Sequence, residues 1–225
     1  MTYSEIRKNE EVLAFINVPG WVGDPREDLV ERLKSNENYT TPLECPFITH
    51  WLHNMTHDQV LDMLKYLGMG NRPGDKVKVI FVPCYLDGRD GIMNKEYYDI
   101  LLGQDLSVYA SYYEPWGYTP LESIAFGIPT ITTDLSGFGQ WINSRKEQGL
   151  EKSGVKVLHR EDLNFVEVSE DLADSILALS HCGKAQRAKI GQAATNVSLE
   201  AEWKHFIEYY AQAFHLALKK AALRK

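Results

Sequence analysis

The sequence is poor in cysteine, in long apolar runs and in positive charge, and each lack closes off a class of protein. Its three cysteines, Cys45, Cys84 and Cys182, are an odd number at wide spacing. They match neither a disulfide framework nor a zinc pattern, which points to a reducing, cytoplasmic setting. No apolar stretch nears the roughly 20 residues that cross a bilayer, so no membrane association is expected. Residues 1–11 are polar and charged, unlike a secretory leader. The formal net charge is -7, without a basic run or an RNA-binding motif, so nucleic acid is not an expected partner. No G-x-G-x-x-G follows a strand, which leaves a standard NAD fold without support, and there is no Walker motif. Internal repeats and low-complexity tracts are missing too. His159, His181 and His205 lack metal-ligand spacing, and no metal ion is expected.

What remains is a chain of 225 residues, 44% of them hydrophobic, enough for one sizeable core. Short apolar runs alternate with helical periodicity. Residues 12–17, ended by Pro19-Gly20, and residues 77–82, ended by Pro83, read as buried parallel strands. Asp24-Pro25 opens a helix with Leu29, Val30 and Leu33 on its apolar face, and residues 36–46 read as loop. Residues 56–69 read as a helix capped by Thr56 and stopped by Gly68 and Gly70. A loop over 84–91, a short helix over 94–103 and a third strand over 106–110 follow. Further strands are expected over 130–132 and 155–158, with a helix from Ser136 to about Gly149 between them. Helices over 169–179, 184–197 and 200–223 close the chain. Trp203, Phe206, Ile207, Tyr210, Phe214 and Leu218 form a stripe on the last one, read as a packing face. The alternation predicts an α/β fold, a doubly wound parallel sheet with C-terminal helices.

Residues 111–139, SYYEPWGYTPLESIAFGIPTITTDLSGFG, stand out. Glu114 and Glu122 have seven residues between them, including the turn Pro115-Trp116-Gly117. Thr119 suits a helix N-cap, Pro120 the first helical position and Glu122 the closing carboxylate of a capping box. This places Glu114 just past a strand and Glu122 in the first turn of the next helix, on the rim where open parallel sheets bind ligands. Tyr112, Tyr113, Trp116 and Tyr118 surround Glu114, an environment met around sugars and also in ordinary rim packing.

The run E-P-W-G-Y-T-P-x-E, with A-x-G-I-P and L-S-G-F-G behind it, resembles the glycogen synthases of the animal and fungal type. These are retaining glycosyltransferases of family 3 with the two-Rossmann GT-B architecture. The likeness continues upstream through T-H at Thr49 and His50, V-K-V-I-F-x-P and E-Y-Y. Downstream it reaches Trp203, Tyr209, Tyr210, His215, Ala217 and Leu218. The resemblance implies that residues 1–225 form a single donor-binding domain, incomplete at its N-terminal edge. The acceptor-binding N-terminal domain and the segment G-R-x-E-x-x-N-K-G, whose Arg and Lys neutralise the donor diphosphate, are absent. Such a fragment is expected to be inactive alone.

The resemblance also assigns roles. Glu114 contacts the glucose hydroxyls of the donor, as the catalytic carboxylate but not as a nucleophile. The backbone of Trp116, Gly117 and Tyr118 lines the sugar, Thr119 meets the diphosphate, Glu122 binds the ribose and Tyr97 stacks on the base. The expected substrates are a nucleotide-glucose, with UDP-glucose favoured over ADP-glucose, and an α-1,4-glucan, with no cofactor. Plainer readings stand beside these: Glu122 and Thr119 as caps, Trp116 as a rim plug, Tyr97 as helix packing. Two other functions stay open, a retaining transferase for another sugar and a non-catalytic Rossmann-like module. The sparse cations of the helix over 184–197 (Lys184, Arg187 and Lys189) and the short span between Pro19 and Thr49 suggest a bacterial member. They leave a homo-oligomer open.

Overall fold

A computed structural model describes residues 11–35 and 37–224 of the chain. The polar opening stretch, apart from Glu11, and the predicted first loop residue, Asn36, lie outside the described residues. The chain divides into two compact units, one ending at Leu101 and the other starting at Leu102.

In the first unit, β1 (Val12–Asn17) pairs in parallel with β4 (Val77–Val82), from Val12 against Val77 to Asn17 against Val82. Both are the apolar runs that the sequence marks as strands. Between them lie β2 (Val22–Pro25), α1 (Glu27–Lys34), β3 (His50–Leu52) and α2 (Gln59–Tyr66), and after β4 comes α3 (Tyr97–Leu101). The antiparallel pair β2 and β3 was not foreseen. It takes up Asp24 and Pro25, the residues expected to open a helix. That helix starts two residues later because Arg26 turns inward: its side chain is fully buried, donating to the carbonyls of Cys45 (2.6 Å) and Glu44 (2.8 Å) and to both oxygens of Asp28. The Arg26 guanidinium also lies 4.6 Å from the centre of the Trp51 ring. The predicted cap Thr56 is displaced by Asp58, whose carboxylate accepts from the Leu61 amide at 2.9 Å, while Thr56 bonds to Asn54. Phe47, Ile48, Leu52, Leu61, Leu64, Val79 and Phe81 form the core.

The second unit is built on three parallel strands in sequence order, β5 (Ser107–Tyr109), β6 (Thr130–Thr133) and β7 (Val155–Leu158). The crossover from β5 to β6 is α4 (Tyr118–Ala125); that from β6 to β7 holds α5 (Gly137–Asn143) and α6 (Leu150–Ser153). The helix expected to run to Gly149 therefore stops at Asn143. Then come α7 (Phe165–Ser180), α8 (Lys184–Glu200) and α9 (Trp203–Ala222). Alternation along β7 feeds two apolar clusters. Val155 and Val157 join Ile124, Phe138, Ile142 and Ala194, whereas Leu158 joins Ile131 and Val168. Buried hydroxyls of β6 find carbonyl partners, Thr130 donating to Ile128 close by and Thr133 to Ser111 on the chain after β5.

The stripe on α9 departs from expectation. Trp203, Ile207, Tyr210, Phe214 and Leu218 are exposed, and no residue of α9 is fully buried. Phe206 alone of the stripe packs inward, edge-on to Trp116 and Trp141. Among the described residues no helix is long and apolar enough to cross a membrane, and Cys45, Cys84 and Cys182 are free thiols.

Candidate active site

The site grows from the turn after β5. Gly117 takes φ 102°, a left-handed conformation that L side chains rarely adopt, and this lets the chain enter α4 directly from the Pro115-Trp116 turn. The helix therefore begins at Tyr118, earlier than expected. Gly117 is its cap, Thr119 is its second residue, Pro120 its third and Glu122 its fifth, so the expected capping box does not form. A glycine cap offers no side-chain acceptor, and the first turn holds no acidic residue. The positive end of α4 is left with backbone donors at Tyr118 and Thr119 and without carboxylate compensation from its own first turn.

Glu114 sits beside that helix end. Its Cγ lies 3.4 Å from the point where a Cβ on Gly117 would be, a van der Waals distance that seats the glutamate directly against the cap. The backbone of Glu114 is held by the turn after β6. Its carbonyl accepts from the Gly137 amide at 3.0 Å, and its amide reaches the Leu135 carbonyl at 3.4 Å. The next tie is 2.7 Å, from the Phe138 amide to the Trp116 carbonyl. Glycine is needed at this seam as well, since a Cβ on Gly137 would run into the Pro115 carbonyl. Ser136 caps α5, its hydroxyl accepting from the Gly139 amide at 3.0 Å, as its place before the glycines suggests.

The structure thus gathers Glu114, Gly117, Tyr118 and Thr119 around one helix start, with Glu122 one turn further along α4. Tyr118 and Thr119 are exposed, Gly117 is buried and Glu122 is half-buried. Trp116 has its carbonyl tied to the Phe138 amide. Its ring turns into an aromatic cluster with Phe138, Trp141 and Phe206, at centroid distances of 6.2, 6.1 and 5.3 Å. Its plainer reading as a plug therefore holds for the side chain. Tyr97 belongs to the other unit, where it opens α3 with its ring 5.4 Å from that of Tyr98.

Sequence reading missed the groups that brace the site. Asp134, after β6, accepts from the Arg160 amide at 3.0 Å and from His159 Nδ1 at 2.5 Å. His159 also bonds Glu161, and these two carboxylates, Asp134 first, raise its pKa above the ordinary 6.5. Arg160 reaches back to the turn after β5. The partners are 25 to 50 positions apart, and no local pattern announces them.

In the first unit, ligand atoms of His50, Cys84 and Asp90 lie within 4.8 Å of one another, the one such grouping among the described residues. Each imidazole nitrogen already has a partner, Thr49 Oγ1 at 2.9 Å and the Asp90 carbonyl at 2.7 Å. The Asp90 carboxylate accepts from the amides of Ile92, Met93 and Asn94. Burial, together with Asp90 and Asp87, pushes the Cys84 thiol up, away from the thiolate that a metal prefers. The grouping is internally satisfied.

Comparison with known proteins fits this geometry. The family model described as glycogen synthase matches residues 29–224. A glycogen (starch) synthase of Neurospora crassa is 32% identical over 193 residues, covering 86% of this chain and 27% of that protein. One from Caenorhabditis elegans is 36% identical over 172 residues, covering 75% and 25%. Isoform 1 from Saccharomyces cerevisiae is 33% identical over 177 residues, covering 78% and 25%. The chain spans about a quarter of the length of these curated relatives.

Proposed function

Because this chain belongs to the glycogen synthase family, we propose that it carries the donor-binding side of a retaining glycosyltransferase. The enzyme moves glucose from a nucleotide-glucose, UDP-glucose in preference to ADP-glucose, to the non-reducing end of an α-1,4-glucan. The observation that carries this reading is the seating of Glu114 against Gly117, at the start of a helix whose first turn has no acidic residue. Glycosyl transfer builds positive charge on the sugar and negative charge on the departing diphosphate. A carboxylate beside a helix N-terminus separates those two demands by a few ångströms.

In this reading Glu114 binds the glucose hydroxyls and supports the developing positive charge. The backbone at Trp116, Gly117 and Tyr118 lines the sugar, and the helix start at Thr119 faces the diphosphate. Glu122 takes the ribose, Tyr97 stacks on the base, and the reaction uses no metal ion. The chain acts as a single donor domain of the GT-B type. Parallel pairing in both units, and helices between β5, β6 and β7, support a doubly wound sheet. The glucan side of the reaction falls to what the relatives carry beyond the matched quarter, so the chain alone elongates no glucan. Free thiols support a cytoplasmic setting, and the few cations of α8 support a place among bacterial members.

The test is glucose transfer from UDP-glucose to a glycogen primer by a full-length enzyme that contains this domain, before and after Glu114→Ala. Transfer should be abolished with the circular dichroism spectrum unchanged. Near-normal turnover would contradict the role given to Glu114.

A further inference from the structure

We propose that Arg160 is a positioning residue, a clasp that holds the turn bearing Glu114 in its working conformation. The inference rests on the donor-site reading above and extends it to a residue outside the site. Arg160 follows β7, yet its Nη1 donates at 2.6 Å to the carbonyl of Ala110, at the end of the β5 strand. The same guanidinium lies 3.6 Å from the centre of the Tyr112 ring, which is half exposed. One side chain therefore crosses the carboxyl ends of all three strands. It fixes both a carbonyl and a ring in the four residues that precede Glu114.

Arg160 is itself anchored. Its amide donates to Asp134 Oδ1 at 3.0 Å, and the Asp134 amide donates to the Leu158 carbonyl at 3.0 Å. The backbone it restrains needs the help. The Glu114 amide makes only the long 3.4 Å contact with Leu135, and Tyr113 is 79% exposed. A solvent-exposed hydrogen bond from a guanidinium and an exposed cation–π contact together shift a local opening equilibrium by about tenfold. Lysine would keep the charge but lose the flat face and the fork of donors.

Two readouts on the full chain test the clasp. In amide hydrogen exchange without ligand, Arg160→Met should speed exchange of the Glu114 and Gly137 amides, which tie the turn after β5 to the turn after β6, by about tenfold, leaving β6 and α7 at wild-type protection. Tyr112→Leu should do the same, and Tyr112→Phe, which keeps the ring, should not. In calorimetric titration, Arg160→Met should weaken UDP-glucose by about tenfold while UDP binds as in the wild type, because Arg160 acts on the turn that bears Glu114, the proposed contact of the sugar and not of the nucleotide. Unchanged exchange at Glu114 and Gly137 would overturn the proposal, as would equal weakening of both ligands with protection lost throughout. If the wild-type chain binds neither ligand the donor-site reading falls, and the exchange measurement alone decides whether Arg160 clasps the turn.

Discussion

Glu114 and Gly117 are packed as a pair: the Cγ of the glutamate rests 3.4 Å from where a Cβ on the glycine would stand. The left-handed φ of Gly117 makes the turn that brings the acid to the helix start.

Gly117→Ala should therefore disturb site and fold together. The left-handed backbone costs a non-glycine residue about 1–2 kcal/mol, and the new methyl meets Pro120 and Glu114. Chemical denaturation should show a loss of that size. Affinity for UDP-glucose should fall as well, since the strain at residue 117 is relieved by shifting the turn that carries Glu114.

Arg26 governs the stability of the first unit. It is fully buried, with the Cys45 and Glu44 carbonyls and Asp28 as partners. Arg26→Ala orphans two carbonyls and opens a cavity beside Trp51. A destabilisation of about 2–4 kcal/mol is expected in urea unfolding. The hydrogen bond from Arg26 also holds the Asp28 carboxyl below its ordinary 3.8. Its contribution is present above the ordinary value and is lost as pH falls through the depressed one.

His159 should give a pH dependence of the opposite sign. Its hydrogen bonds to Asp134 and Glu161 raise its pKa above 6.5. The contribution to stability is complete below the ordinary value and disappears as pH rises through the raised one. Melting curves of wild type and His159→Gln should differ at acidic pH and converge at alkaline pH. A gap that widens with rising pH would contradict this assignment.

Much of the framework was legible in the sequence. The runs over 12–17 and 77–82 are continuous, apolar and closed by proline, and they are β1 and β4 to the residue. The start of α5 at Ser136 was readable because the bond that fixes it reaches only three residues, to the Gly139 amide. Legibility failed where a distant group decides. Pairing with β3 converts Asp24 and Pro25 from a helix start into strand. At Gly117, a glycine that tolerates positive φ takes the cap from Thr119, which has the better side chain for it. The α9 stripe has a clear period, yet period does not say what covers a face, and Trp203, Phe214 and Leu218 remain exposed. Of the site, the short-range constellation from Glu114 to Glu122 could be read. The Arg160 brace, which joins residues 48 and 50 positions apart, could not.

Calorimetric titration of the chain with UDP-glucose and with UDP, before and after Glu114→Ala, probes the proposed sugar cradle most directly. The unaltered chain should bind both ligands. The substitution should weaken UDP-glucose by about tenfold or more, as loss of a charged hydrogen-bond acceptor requires, and leave UDP unchanged. Equal affinity of the two chains for UDP-glucose would show that Glu114 does not touch the donor sugar.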